Sequence, residues 1–366
     1  MTRLTDLYEQ AGQSPWLDNL RRDWIADGEL ARWVERGVRG VTSNPSIFQK
    51  AIEGQAIYDD QFAELMAAGT SIEDAYWELV VADIESALAV LRPVHDASDG
   101  VDGYVSVEVT PSLAGDTAAT TAMALDLHER IAKPNLYVKI PGSEEGIPAI
   151  HAVIAAGHSV NITLLFSLSR YEQVIEAYLS GLEAIEGPLD HVSSVASFFV
   201  SRVDAAVDAR LEEIGTPEAK ALRGKVAVAN AQLAYGLFQQ RFSGPRWEAL
   251  AARGARVQRP LWASTSTKDP SYPTTLYVDT LIAPDTVNTM PEATLEAFEQ
   301  EGTIARTADA DLDGARQVLD QLAAVGIDID EVTDTLEAEG VTAFEKAFDD
   351  LLSSLRTKAD GLQAGK

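Results

Sequence analysis

The chain has 366 residues, 46% of them hydrophobic, with no cysteine and a net charge of −28 at neutral pH. That length and apolar content allow a large buried core, in one barrel-sized domain or two ordinary ones. The lack of cysteine excludes disulfides, thiolate nucleophiles and zinc–thiolate centres, and the negative charge without any basic run argues against nucleic acid or anionic membranes as partners.

The opening residues MTRLTDLYEQ lack the apolar core of a signal peptide, and no apolar run is long enough to span a bilayer. The expectation is a cytoplasmic protein with no membrane partner. Along the chain, short β-branched runs alternate with longer stretches of helical periodicity. Strands are predicted at 16–19, 40–43, 104–109, 136–140, 160–165, 192–198, 260–265 and 286–289, and helices at 28–36, 118–132, 171–182, 199–213 and 222–242. The interval 45–103 is too long for one crossover and must hold further helices, one of them opened by Ser71 and Asp74 at capping-box spacing.

About eight strands, each followed by helix, predict a (β/α)8 barrel with additional helices. The competing fold, an open doubly wound sheet, lacks its G-x-G-x-x-G after the first strand. From about residue 309 the pattern is purely helical, in ARQVLDQLAAVG and VTAFEKAFDDLLSSL, with no Pro/Gly/Ser linker before it. Residues 1–366 are therefore read as a single barrel domain whose helical tail packs on the barrel exterior.

Three charged residues interrupt apolar strands: Asp18 in PWLDNL, Glu108 in YVSVEVTP and Lys139 in LYVKIPG. All lie toward the C-terminal ends of their strands, the face that carries active sites in this architecture. Any one of them alone could be a buried ion pair or a polar residue at the rim. A lysine inside a buried strand must have its charge paired or be held neutral, and a neutral amine is the group that attacks a carbonyl to form a Schiff base. Lys220, Lys225, Lys346, Lys358 and Lys366 sit in helical or terminal contexts and read as solvated.

GVTSNPSIF, residues 40–48, and LYVKIPGSEEGIPA, residues 136–149, resemble the two signature segments of the transaldolase family, without a gap in either. The resemblance spans roughly residues 4–291 and thins in the helical tail. It implies a cofactor-free class I aldolase-type barrel, with no metal, that acts on small phosphorylated sugars. The implied reaction moves a dihydroxyacetone unit between sedoheptulose 7-phosphate or fructose 6-phosphate and glyceraldehyde 3-phosphate or erythrose 4-phosphate, in the pentose phosphate pathway. A monomer and a homodimer are both compatible with it.

The resemblance also implies roles. Lys139 is the Schiff-base lysine, Asp18 deprotonates the hydroxyl whose collapse breaks the C3–C4 bond, and Glu108 works through a water held by Thr163. Asn44, Asn161 and Ser197 hydrogen-bond the retained three-carbon unit, with Thr42 and Ser43 beside them in the first motif. Ser197 and Arg202 keep the family's Ser-x4-Arg spacing, which makes Arg202 the phosphate ligand and Ser264 its second contact. Some relatives read Ala-Ser-x-Arg after the seventh strand, whereas this chain has WASTSTKDPSY, so Ser266 stands at the arginine position and Lys268 is taken as its replacement. Two other readings stay open: a fructose 6-phosphate aldolase-like cleavage, and a noncatalytic sugar-phosphate-binding barrel.

Other motifs carry less. Asp309, Asp311 and Asp313 before Gly314, with Asp320 at the twelfth position, imitate a calcium loop, but Arg316 fills the inward hydrophobic position and an Asp-rich helix N-terminus is the better account. His95, His128, His151, His158 and His191 show no metal-ligand spacing, which disfavours a metal-dependent aldolase. PGSEEG after Lys139 lacks the G-K-[ST] of a phosphate-binding P-loop.

Overall fold

The computed structural model describes residues 2–53 and 55–364. Eight parallel strands close into a barrel: β1 Gln13–Leu17, β2 Val41–Thr42, β3 Val105–Glu108, β4 Leu136–Pro141, β5 Val160–Leu165, β6 Ser194–Phe199, β7 Arg259–Ala263 and β8 Thr286–Met290. Each pairs with the next in sequence, and β8 closes on β1. The strand residues are buried throughout, as expected where helices cover the outside of a parallel barrel and side chains fill the inside. The helix Ile72–Ala97 begins at the predicted capping box, where Ser71 Oγ accepts from the Asp74 amide at 3.1 Å and donates to its carboxylate at 2.7 Å.

Strand pairing sets the site's first line of residues. Glu108 of β3 pairs with Lys139 of β4, and Lys139 pairs in turn with Asn161 of β5, so these three lie at one level of the barrel. Above them the β5–β6 pairing shifts register between Ile162 and Leu165, and Leu164 takes φ +60°. This is a bulge of the kind that re-aims a side chain at a barrel rim. Ser264, directly after β7, is also left-handed at φ +55°. For residues other than glycine such backbone is strained, and both instances flank the mouth.

The opposite end of the barrel is closed by a saturated ion cluster. The buried carboxylate of Asp102 accepts from Arg39 at 2.7 Å, Arg259 at 3.0 Å, Ser14 at 2.8 Å and the Trp16 indole at 3.1 Å. Burial alone would raise its pKa, but Arg259 and Arg39 outweigh burial and hold it below the usual carboxylate range.

Three expectations need correction. β1 starts and ends earlier than predicted, so Asp18 lies one residue past the strand rather than in it. The cause is a buried polar residue that hydropathy misses: Gln13 donates from its side-chain amide to Leu281 O at 2.7 Å and Thr286 Oγ1 at 2.9 Å, which extends the β1–β8 ladder backward. The single helix predicted over 222–242 is instead Val226–Arg241 preceded by the short Pro217–Lys220, separated where Gly224 adopts φ +68°. The tail divides as well. The helix Leu312–Ala324 packs on Val226–Arg241 outside the barrel as expected, but Ile329–Ala364 crosses the C-terminal mouth against the helices Pro45–Glu53, Ile72–Ala97 and Ser201–Ile214.

Candidate active site

Lys139 answers the question its strand poses by pairing. Its Nζ lies 3.1 Å from Glu108 Oε2 and donates to the Ser43 carbonyl at 3.1 Å, with the side chains of both charged residues almost fully buried. The contact with Glu108 is off the hydrogen-bond axis, so Oε2 has no hydrogen-bond partner among the described residues. Burial raises the Glu108 pKa, and attraction to Lys139 opposes that shift without cancelling it. Glu108 is thus a carboxyl whose pKa burial holds above its ordinary value, beside an amine.

Thr163, at the bulge of β5, also presents a buried Oγ1 with no protein partner among the described residues. Two unsatisfied buried oxygens near one lysine are rare enough to point to function. On the other side of the cavity, Asp18 Oδ1 accepts from Thr42 Oγ1 at 2.8 Å, and Thr42 shares a 2.6 Å contact with Thr289 Oγ1. Burial raises the Asp18 pKa and Glu292 adds to it, while Thr42 and Lys139 pull the other way. Both carboxyls of the site are therefore shifted upward, toward the range useful for proton transfer.

Asn161 is fixed from both ends, donating to Ser106 Oγ at 3.0 Å and accepting from Ser197 Oγ at 2.7 Å. This relay orients the Ser197 side chain at the cavity wall. Ser43 spends its hydroxyl on the Ser106 carbonyl at 2.7 Å and serves Lys139 through its own carbonyl.

The cavity also carries further cations. Arg202 begins the helix Ser201–Ile214, and its guanidinium lies 5.1 Å from the Phe199 ring centroid with no carboxylate in ion-pair range among the described residues. Asp204, two residues on in the same helix, is engaged elsewhere, accepting from the Ala227 amide and the Tyr277 hydroxyl, each at 2.8 Å. Burial lowers the Arg202 pKa, and Asp18 and Glu108 counter it. Ser264 Oγ sits 2.9 Å from Ser201 Oγ, which ties the strained end of β7 to the start of the Arg202 helix. Lys268 reaches Ser266 Oγ at 2.9 Å; partial desolvation and the charge of Arg202 lower its pKa.

An inner chamber of about 160 Å³ brings together Asp18, Thr42, Asn44, Lys139, Thr163, Ser197, Arg202, Ser264 and Lys268. It continues outward into a chamber of about 740 Å³ that shares Asp18, Asn44, Arg202 and Lys268 and adds Arg21 and Lys50. Of the predicted site residues, Glu108, Ser43 and Asn161 stand behind the wall rather than in it. Sequence reasoning missed Thr289 and Phe344, both in the chamber wall. Thr289 was discoverable, since it lies at the C-terminal end of a predicted strand; Phe344 lies in the helical tail and gave no such signal.

Together, these features define an enzyme of the (β/α)8 class, with a buried lysine flanked by carboxyls at the C-terminal end of the barrel and further cations in the same chamber. The family model described as transaldolase/fructose-6-phosphate aldolase matches residues 15–355. The chain is 54% identical over 350 residues to a transaldolase of Frankia alni, covering 94% of each protein. It is 52% identical over 347 residues to a transaldolase of Thermobifida fusca, covering 93% of this chain and 94% of that protein. To transaldolase 2 of Streptomyces coelicolor it is 49% identical over 371 residues, covering 100% and 99%. The chain belongs to the transaldolase/fructose-6-phosphate aldolase family. Among the described residues, no helix is long and apolar enough to cross a membrane.

Proposed function

We propose that this protein transfers a dihydroxyacetone unit from a ketose phosphate to an aldose phosphate through a Schiff base on Lys139, acting in the cytoplasm within the pentose phosphate pathway. The observation that carries the reading is a buried Lys139 in ion contact with Glu108, in a chamber that also presents an Arg202 with no carboxylate partner among the described residues.

In this reading Arg202, Lys268 and Ser264 hold the donor's phosphate, and the carbonyl carbon meets Lys139 Nζ. Proton exchange during carbinolamine formation and dehydration passes between Glu108 and the substrate oxygen through a water. The unpartnered Glu108 Oε2 and Thr163 Oγ1 supply the polar ends such a bridge needs. The resulting iminium draws electrons from the C3–C4 bond as Asp18 accepts the C4 hydroxyl proton, so the aldose phosphate leaves and an enamine stays on Lys139. Thr42 fixes Asp18 for that step, and Ser197 and Asn44 line the wall against the retained hydroxyls, Ser197 oriented by Asn161. Addition of the enamine to an incoming aldehyde reverses the sequence.

The test is turnover of fructose 6-phosphate with and without erythrose 4-phosphate. Product formation only with the acceptor supports transfer; equal release of free dihydroxyacetone without it supports the aldolase alternative instead.

A further inference from the structure

An enamine waiting in a cavity has two fates. It can add to an aldehyde, or it can take a proton on carbon, after which the iminium adds one water and releases the free ketone and the lysine amine, returning the proton. Transfer dominates only if water and protons are kept from the three-carbon unit between departure of one aldose phosphate and arrival of the next.

Phe344 is the residue that the terminal helix Ile329–Ala364 places in the wall of the inner chamber, among the described residues. Its ring centroid lies 5.9 Å from Lys139 Nζ, and the side chain is 7% exposed. One helical turn earlier, Gly340 sets the helix against the barrel. A Cβ there would stand 2.9 Å from Leu164 Cδ2 and 3.6 Å from Arg202 Nη1, so the helix backbone rests on the bulge of β5 and beside the cation of the chamber. One turn later, Phe348 packs edge-on against Tyr76 at 5.3 Å, and both line a small recess with Glu108. Gly340, Phe344 and Phe348 recur every four residues and so form one stripe, aimed at the mouth.

We infer that this stripe is the water seal over the retained three-carbon unit, and that Phe344 sets the partition between transfer and hydrolytic release. The inference rests on the Schiff-base reading of Lys139. A purely structural role for Phe344 would change stability and leave the partition alone, because Leu351, Leu352 and Leu355 of the same helix already anchor it in the core away from the chamber.

The experiment measures free dihydroxyacetone against transferred product, with fructose 6-phosphate saturating and erythrose 4-phosphate fixed. Being a ratio, it is independent of the fraction of enzyme that is folded. Phe344→Ala should raise it by at least about tenfold, Gly340→Ala, which must displace either the Leu164 side chain or the helix, should raise it less, and Phe344→Leu should stay near the parent value. An unchanged ratio in Phe344→Ala, with the borohydride adduct on Lys139 intact, overturns the seal. If that variant does not fold, an unchanged ratio in the milder truncation Phe344→Val overturns it equally. Failure to trap any adduct on Lys139 in the parent protein overturns the Schiff-base reading instead.

Discussion

Replacing Arg202 by alanine separates phosphate capture from carbonyl chemistry. Among the described residues the guanidinium has no carboxylate to release when substrate arrives, so its interaction with phosphate is not offset by a broken ion pair. A charge-assisted hydrogen bond is worth about 1.5–3 kcal/mol, and a bidentate grip lies toward the upper end. Arg202→Ala should therefore lower kcat/KM for fructose 6-phosphate by about 10- to 150-fold, largely through KM. Lys268 limits the loss, since it remains in the same chamber. With dihydroxyacetone as donor, which has no phosphate, the loss should be a few-fold at most. A secondary effect has a definite sign. Arg202 lowers the pKa of Glu108, so its removal should raise that pKa and shift the acid limb of the kcat profile to higher pH. The assay couples product formation to a nicotinamide reporter, with each donor, across pH 5.5–9, roughly the range over which such carboxyls and amines titrate. Equal losses with both donors would refute the assignment and make Arg202 a support for the helix stripe resting on it.

Three further outcomes follow from the same geometry. Lys139→Arg keeps the positive charge but supplies no neutral amine, so borohydride trapping and turnover should both vanish while circular dichroism is unchanged; an adduct on Lys268 or Lys50 would defeat the mechanism. Glu108→Gln should reduce kcat by ~10²–10⁴ with little change in substrate binding, and an unchanged kcat would remove Glu108 from the proton path. His128 is buried against the Ser159 carbonyl and stacked 4.5 Å from His158, and burial, then the charge of His158, push its pKa down to about 4. Because the folded value lies below the unfolded one, its contribution is complete above about pH 6.5 and is lost as pH falls toward 4, a change on the order of 3 kcal/mol. Urea denaturation at pH 7.5 and 4.5 should show His128→Gln losing less stability than the parent over that interval, and identical losses would exclude His128 as a cause.

The strands were legible because a parallel barrel buries both faces of each strand, which leaves apolar runs that hydropathy detects. Lys139 stood out against such a run, and Glu108 likewise. What escaped were residues whose burial depends on a partner distant in sequence. Gln13 and Arg259 begin their strands because Leu281 and Asp102 wait for them, and nothing in the local pattern of either segment says so. Phe344 escaped for a related reason. An amphipathic helix announces that one face is buried, not whether it meets the barrel wall or its mouth. Lys268 was reached only through the absence of an expected arginine, and the structure does bring it to the chamber beside Arg202.

The two ends of the barrel bury carboxylates under opposite terms, and that contrast yields a final prediction. Asp102 meets two arginines and two further donors, so its charge is fully compensated and its pKa falls. Glu108 meets one lysine, keeps an oxygen with no hydrogen-bond partner among the described residues, and its pKa rises. Removing one partner from a buried charge cluster costs about 3–5 kcal/mol, because the remaining ions are left uncompensated. Asp102→Asn leaves Arg259 buried without its counter-charge, so it should destabilise the fold by about that amount and leave kcat of the folded fraction nearly unchanged. Glu108→Gln replaces a carboxylate whose ionised form the fold already disfavours, so its cost in stability should be markedly smaller even as kcat collapses. Denaturant midpoints and active-site-normalised kcat for both variants decide the matter. If Glu108→Gln unfolds as readily as Asp102→Asn, then the Lys139–Glu108 pair is a structural tie like the cluster at the opposite end, and the upward shift of Glu108 has no catalytic meaning.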